Sequence, residues 1–304
     1  MDALGTAGIT LGFIGMVAFG WLLRWTGLLS ADDAKPLNVL IVYIGLPALV
    51  FRSIQTATLE RDMVLIAVSA WVVFGVTALV AWGAARLMAL SRPVAGGFIL
   101  TSALGNTAYL GYPMALALFG EEGLSRAIFY DIFGTVGAML LVGLLIAERF
   151  GRSDGRPIRP AREILTFPAV IAVVIALLLQ GIEIPVLVSD WLDTFAKLVT
   201  PLIMISVGLT LSMGSLREHI RPLMVLSGIR LALAPAAAFI VGSMVLEGAG
   251  ALDLLVLSAG MPSMMLTLVI GSRFGLDTGF IAAAILMTTT FSVVTIPVMR
   301  LLMG

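Results

Sequence analysis

Apolar residues run through this chain in long blocks, separated by short clusters of arginine, acidic residues and glycine. The blocks are apolar on all sides rather than striped at a 3.6-residue period, which is the pattern of helices surrounded by lipid and by one another. A helix crossing a bilayer needs roughly 20 mainly apolar residues. Ten candidate spans follow, at about 7–23, 37–54, 63–90, 94–119, 127–147, 163–180, 191–214, 221–246, 250–274 and 278–303. The sixth is short and carries Phe167-Pro168 near its start. Connections are brief apart from 148–162, and no segment is left over for a soluble domain. The first block lacks a positive n-region, and no small-residue cleavage site follows Trp21-Leu-Leu-Arg-Trp25, so it reads as a retained helix. The expectation is an all-α integral membrane protein.

Two blocks are interrupted in the middle. One contains Ser102-Ala-Leu-Gly-Asn-Thr-Ala-Tyr-Leu-Gly-Tyr-Pro113 and the other Ser258-Ala-Gly-Met-Pro-Ser-Met-Met265. Backbone unwound at that depth exposes amides and carbonyls that lipid cannot satisfy, so such breaks persist only against protein or a hydrated cavity. Pro113 is expected to free a carbonyl around Tyr109, and Pro262 that of Ser258. Asn106, Thr107 and Ser263 place side-chain donors and acceptors beside the openings. The alternative is a pair of proline kinks tolerated by packing.

The interruptions occupy matching places in two halves. Gly27 and Gly181 lie 154 residues apart, as do Pro47 and Pro201. Phe119-Gly120 and Phe274-Gly275 lie 155 apart, and Ser102-Ala103 and Ser258-Ala259 lie 156 apart. This spacing predicts a repeat, 1–150 and 151–304, of five spans each. Five is odd, so the second copy must enter the membrane inverted. The fourth and ninth spans, both broken, are then expected to cross near the midplane.

Charge adds orientation. The chain is 60% hydrophobic and 12% charged with zero net charge, which gives no sign of a nucleic-acid partner. With the N-terminus outside, twelve basic residues fall in inner connectors: Arg24, Lys35, Arg86, Arg92, Arg149, Arg152, Arg156, Arg159, Arg162, Arg217, Arg221 and Arg273. Only Arg52, Arg61, Arg126 and Arg300 fall outside, which predicts both termini on the extracytoplasmic side. The five-arginine connector reads either as a topology determinant or as a patch for lipid headgroups.

Candidate chemistry is sparse. There is no cysteine, and the single His219 lies in a charged connector, so metal and nucleophile sites lack their usual residues. No phosphate-cradling loop or nucleophile–base pair is evident, so an enzyme is not expected. Intramembrane ionisable residues are costly and therefore suspect. Asp131 is either a proton acceptor or cation ligand near the crossing or an outer-interface residue. Lys197 snorkels outward, pairs with Asp193 at i, i+4, or attracts an anion. Arg230 either snorkels toward the inner surface or has a functional role inside the membrane. Sixteen methionines, Met261, Met264 and Met265 among them, line an adaptable cavity or simply pack.

Asn106-Thr-Ala-Tyr-Leu-Gly-Tyr-Pro113 closely resembles the Asn-Thr-Gly-x-x-Gly-x-Pro signature of the auxin efflux carrier family, which holds the plant PIN auxin exporters and bacterial malonate or malate carriers. Gly45-Leu-Pro-Ala-Leu-Val-Phe51 resembles that family's second-helix motif. The resemblance covers the whole chain. It implies two inverted five-helix repeats of the bile-acid-symporter type, with helices 3–5 and 8–10 moving against a scaffold of helices 1, 2, 6 and 7. It also implies a substrate site containing Asn106, Tyr109, Pro113 and Pro262, with Thr107, Tyr112, Ser263 and Met265 in the same stretches and Pro47 and Pro201 facing it. Ala108 replaces the usual glycine, and the long cytosolic loop of the plant exporters is absent, which turns the resemblance toward a bacterial organic-anion carrier.

The expected function is secondary transport of a small organic anion across the inner membrane by elevator-type alternating access. No cofactor is expected; coupling to a proton, to sodium or to membrane potential alone stays open. Membrane lipid and, through the resemblance, a second copy in a homodimer are the expected partners. The alternatives are a sodium- or proton-coupled carrier of bile-acid-symporter type and a membrane sensor that binds without transporting.

Overall fold

A computed structural model describes residues 3–152, 160–210 and 218–303. Arg156, Arg159 and Arg217 of the charge count, and residues 211–214 of the expected span 191–214, lie outside the described residues. Among those described, every regular element is helical, and β-pairing is confined to one isolated bridge.

In chain order the helices are α1 Ala3–Trp25, α2 Ala31–Thr56 and α3 Arg61–Leu87, α4 Arg92–Ala103, then α5 and α6 within the continuous stretch Thr107–Phe150. Gly120, with φ +68°, turns the chain between them, so α5 is 107–119 and α6 is 121–150. There follow α7 Pro160–Leu165, α8 Pro168–Leu178, α9 Val186–Thr210 and α10 Ile220–Val245, α11 Ala249–Ala259, α12 Leu266–Phe274 and α13 Thr278–Met303. Six helical stretches among the described residues are long and apolar enough to cross a membrane. The outward faces carry exposed apolar side chains such as Trp25, Leu79, Leu87, Ile240 and Leu301. Long helices whose apolar side chains face outward are the arrangement that lipid, not water, stabilises.

The expected span 163–180 is two pieces, because Pro168 lacks an amide donor and restarts the helix at its own first turn. The first expected break also moves. Helix α5 runs through Pro113; the unwound backbone is Leu104-Gly105-Asn106, several residues earlier. The reason lies in the wide π turn Thr107–Gly111, which ends two residues before Pro113 and makes room for its ring. The same device precedes Pro47, at Ile41–Gly45, and Pro235, at Ile229–Leu233.

Helix α1 crosses α9 at glycines: a Cβ on Gly20 would sit 2.3 Å from the Ile205 carbonyl oxygen, and one on Gly208 would sit 2.1 Å from that of Val17. Helix α2 packs against α8 and α9, with Gly45 against Val199. Elsewhere α3 packs against α4, α6 and α10, and α11 against α10 and α5. Gly134 of α6 sits against Ala70 of α3, at a place where a Cβ would clash.

One end of the molecule is tied by ion pairs. Arg52 makes a bidentate contact to Asp193, at 2.6 and 3.2 Å. Arg126 meets Asp62, Glu60 and Glu122. Arg300 holds Asp253 at 2.7 Å. The expected pairing of Lys197 with Asp193 is therefore corrected: the bidentate Arg52 fork takes that carboxylate, and Lys197 is exposed.

Candidate functional site

The two interruptions lie against each other. Gly105 and Ser263 form the isolated antiparallel bridge. The Asn106 amide donates to the Pro262 carbonyl at 2.7 Å, and the Met264 amide donates to the Leu104 carbonyl at 3.0 Å. Peptide groups that neither helix could satisfy alone thus satisfy one another. Ser263 stitches the pairing to its neighbours: its hydroxyl donates to the Thr101 carbonyl at 2.7 Å, and its amide donates to Thr288 Oγ1 at 3.1 Å.

Asp131 belongs to this centre rather than to an interface. It lies in a π turn of α6, Tyr130–Val136, and is 1% exposed. Its carboxylate accepts the Tyr112 hydroxyl at 2.7 Å and the Thr107 hydroxyl. Thr107 opens α5, so the Asp131 carboxyl is tied to that helix's N-terminal, dipole-positive end.

Arg230 corrects the sequence reading most. Instead of snorkelling it is 1% exposed, in the π turn Ile229–Leu233 of α10. Its Nη1 donates to the Ala103 carbonyl at 2.9 Å and more weakly to that of Ser102 at 3.4 Å; its Nη2 donates to the Ala259 carbonyl. Those carbonyls end α4 and α11, the two half-helices that run into the breaks.

Of the polar candidates, Thr107, Tyr112 and Ser263 are therefore committed to holding the centre together. Asn106 and Tyr109 are not: at 4% and 6% exposure, neither side chain has a hydrogen-bond partner among the described residues. Pro262 contributes its carbonyl, Met265 is partly buried beside it, and Pro113 lies buried in α5. Pro47 and Pro201 are half-buried on α2 and α9, and α9 packs against the 107–111 turn. Lys197 is not part of the group.

Two hollows are bounded by the helices that follow the breaks, though neither is lined by Asn106, Tyr109 or Pro262. The larger, about 670 Å³, is lined by residues of α2, α6, α7, α8 and α12, with Phe167, Leu266 and Ile270 on its wall and Arg162, Glu163 and Arg273 among its polar groups. The smaller, about 180 Å³, lies among α1, α5, α9 and α13, with Phe13, Leu110 and Met114 on its wall. These lining residues correspond in sequence: Phe13 and Phe167 are 154 apart, Leu110 and Leu266 are 156 apart, and Met114 and Ile270 are 156 apart.

The helices and the paired breaks define a multi-pass membrane protein with a polar centre buried inside it. A family profile described as "Membrane transport protein" matches residues 10–300, and the chain belongs to that family, the auxin efflux carrier group of membrane transporters. A protein of Methanocaldococcus jannaschii named as an uncharacterized transporter is 34% identical over 92% of this chain and 93% of its own. One of Methanothermobacter thermautotrophicus, also named as an uncharacterized transporter, is 31% identical over 98% of each. A Rhizobium meliloti protein whose name proposes malonate transport is 25% identical over 95% of this chain and 93% of its own.

Proposed function

We propose that this membrane transporter is a secondary carrier for a small organic anion, working by elevator-type alternating access. The observation that carries the reading is the bonded pair of breaks, with uncommitted Asn106 and Tyr109 beside it and unequal hollows along the helices that follow them. A solute carboxylate accepts hydrogen bonds, and an amide side chain with free donors is suited to it. Electrostatics favour the same sign of cargo. The C-terminal ends of α4 and α11 carry Arg230, and the N-terminal end of α5 carries Asp131. The N-terminus of α12 has no carboxylate bonded to it among the described residues, which leaves a positive dipole end uncompensated.

On this reading the chain is two inverted five-helix repeats, 1–150 and 151–304, making ten spans in which α4 with α5 and α11 with α12 each cross in series. At 12 and 11 residues, α4 and α11 are too short to cross alone, since 1.5 Å per residue gives them under about 20 Å. The matched wall residues support the repeat. So do Gly27 and Gly181, with φ of +76° and +77°. Helices α1, α2, α8 and α9 form the scaffold, and α3–α6 with α10–α13 form the moving bundle. The larger hollow is the open access path, on the inner side where Arg162 and Arg273 lie, and the smaller one is its closed counterpart. Both termini then face the extracytoplasmic side of an inner membrane, and a second copy can join through the scaffold.

Malonate is the first cargo to test, since a relative's name proposes it. Purified protein in proteoliposomes should show saturable counterflow of malonate or of another anion from a panel of dicarboxylates, monocarboxylates and indole acids, and Asn106→Ala should lose it. Binding without movement across that panel would replace the carrier reading with a sensor.

A further inference from the structure

Arg230 lies ten residues into a 26-residue apolar helix, α10, without a carboxylate bonded to it among the described residues. Burying a guanidinium there costs several kcal/mol unless dipoles replace its water. The dipoles bonded to it are backbone ones, with its Nε left without a partner among the described residues and the Tyr130 phenol lying nearby. The last carbonyls of a helix have no helical partner and form its negative end. The carbonyls of Ser102 and Ala103 from α4 and of Ala259 from α11 all accept from this one side chain. Gly105 allows the approach, since a Cβ there would lie 3.3 Å from Arg230 Cζ. In carriers with interrupted helices, such half-helix C-termini are where a coupling cation can be held.

We propose that Arg230 is a built-in cation: its guanidinium holds the C-terminal ends of the two half-helices together, the task that a bound sodium would otherwise perform. Arg230 is then a positioning residue. It meets backbone, not cargo, and it fixes the geometry in which Asn106 and Pro262 stay paired. Without it, two negative helix ends face each other in a medium of low dielectric, and the centre takes up a cation from solution instead.

The inference builds on the reading of the paired breaks as the solute site, but its test contains no substrate, so a wrong cargo or a failed flux assay leaves it standing. Wild type, Arg230→Ala, Arg230→Lys and Arg230→Met are purified in detergent. Their melting temperatures are measured in N-methylglucamine, sodium, potassium and methylguanidinium chlorides at equal, low millimolar concentration. The wild type should melt at the same temperature in all four. Arg230→Ala should melt lower by on the order of 10 °C in N-methylglucamine, and methylguanidinium or sodium should saturably restore part of that loss. Equal melting of wild type and Arg230→Ala, or a loss that no cation repairs, would overturn the proposal. If Arg230→Ala yields no folded protein, the comparison of Lys with Met decides. A Lys variant that folds while Met does not keeps the cation role; variants that behave alike remove it.

Discussion

The backbone amide of Asn106 donates to the carbonyl of Pro262 at 2.7 Å, joining residues 156 positions apart across two interrupted helices. Because the bond is made by backbone, it leaves the Asn106 side chain uncommitted in a nearly sealed place. Structure and binding can therefore be separated at this residue.

Asn106→Ala should keep the amide bond to Pro262, and with it the folded yield, while weakening anion binding. Hydrogen bonds to a charged group contribute about 1.5–3 kcal/mol, so the loss in affinity should be tenfold or more. Asn106→Asp should bind still more weakly, because it adds a negative charge where the anion sits. Binding and counterflow measured beside size-exclusion yield check this. Unchanged affinity in the Ala variant would remove Asn106 from the site.

How much of this centre the sequence disclosed depends on the residue. The existence of two breaks was readable from glycine and proline inside apolar blocks. Their exact place was not, because Pro113 is absorbed by a π turn, and turn width is set by packing rather than by composition. Asp131 was legible only as a choice between two depths; the fold decided it by bringing Thr107 and Tyr112 over the carboxylate. Arg230 was misread because a lone arginine in an apolar helix usually reaches for the interface. Its distance of ten residues from the helix start, with Pro235 following, was the available signal. Lys197 is exposed, as its outward-snorkelling reading has it; depth along the helix alone does not say which face a residue occupies.

Asp131→Ala should be among the more destabilising single changes in the bundle. It strips acceptors from two buried hydroxyls, Thr107 and Tyr112. A buried donor left without a partner costs about 1–3 kcal/mol. Asp131→Asn keeps an acceptor oxygen and should recover much of the loss in a thermal melt. The Asn variant also tests coupling. If it abolishes a dependence of flux on sodium or pH seen in wild type, Asp131 carries the coupling ion; if the dependence persists, Asp131 is structural.

Gly20 and Gly208 bring α1 and α9 to a separation at which even one methyl group meets the opposing backbone. A backbone atom cannot swing aside as a side chain can. Gly208→Ala should therefore force the helices apart and lower stability by about 1–3 kcal/mol, with Gly208→Leu worse. Gly12 and Gly15, on α1 with Gly20, have open space at the Cβ position, and Ala at either should change melting by a few tenths of a kcal/mol at most. A detergent melt of the four variants tests whether this contact is the rigid seam of the scaffold.

The chain has no cysteine, so single thiols can report which hollow is open. Leu266 lines the larger hollow and Leu110 the smaller, and the two occupy matching places in the halves. In resting vesicles, an impermeant maleimide should label Leu266→Cys from the arginine-rich face severalfold faster than it labels Leu110→Cys from the opposite face. Adding a transported anion on both sides lets the bundle exchange between its positions, so the first rate should fall as the second rises. That opposition distinguishes an alternating carrier from a protein that merely loosens: loosening raises both rates together, and a fixed sensor leaves both unchanged.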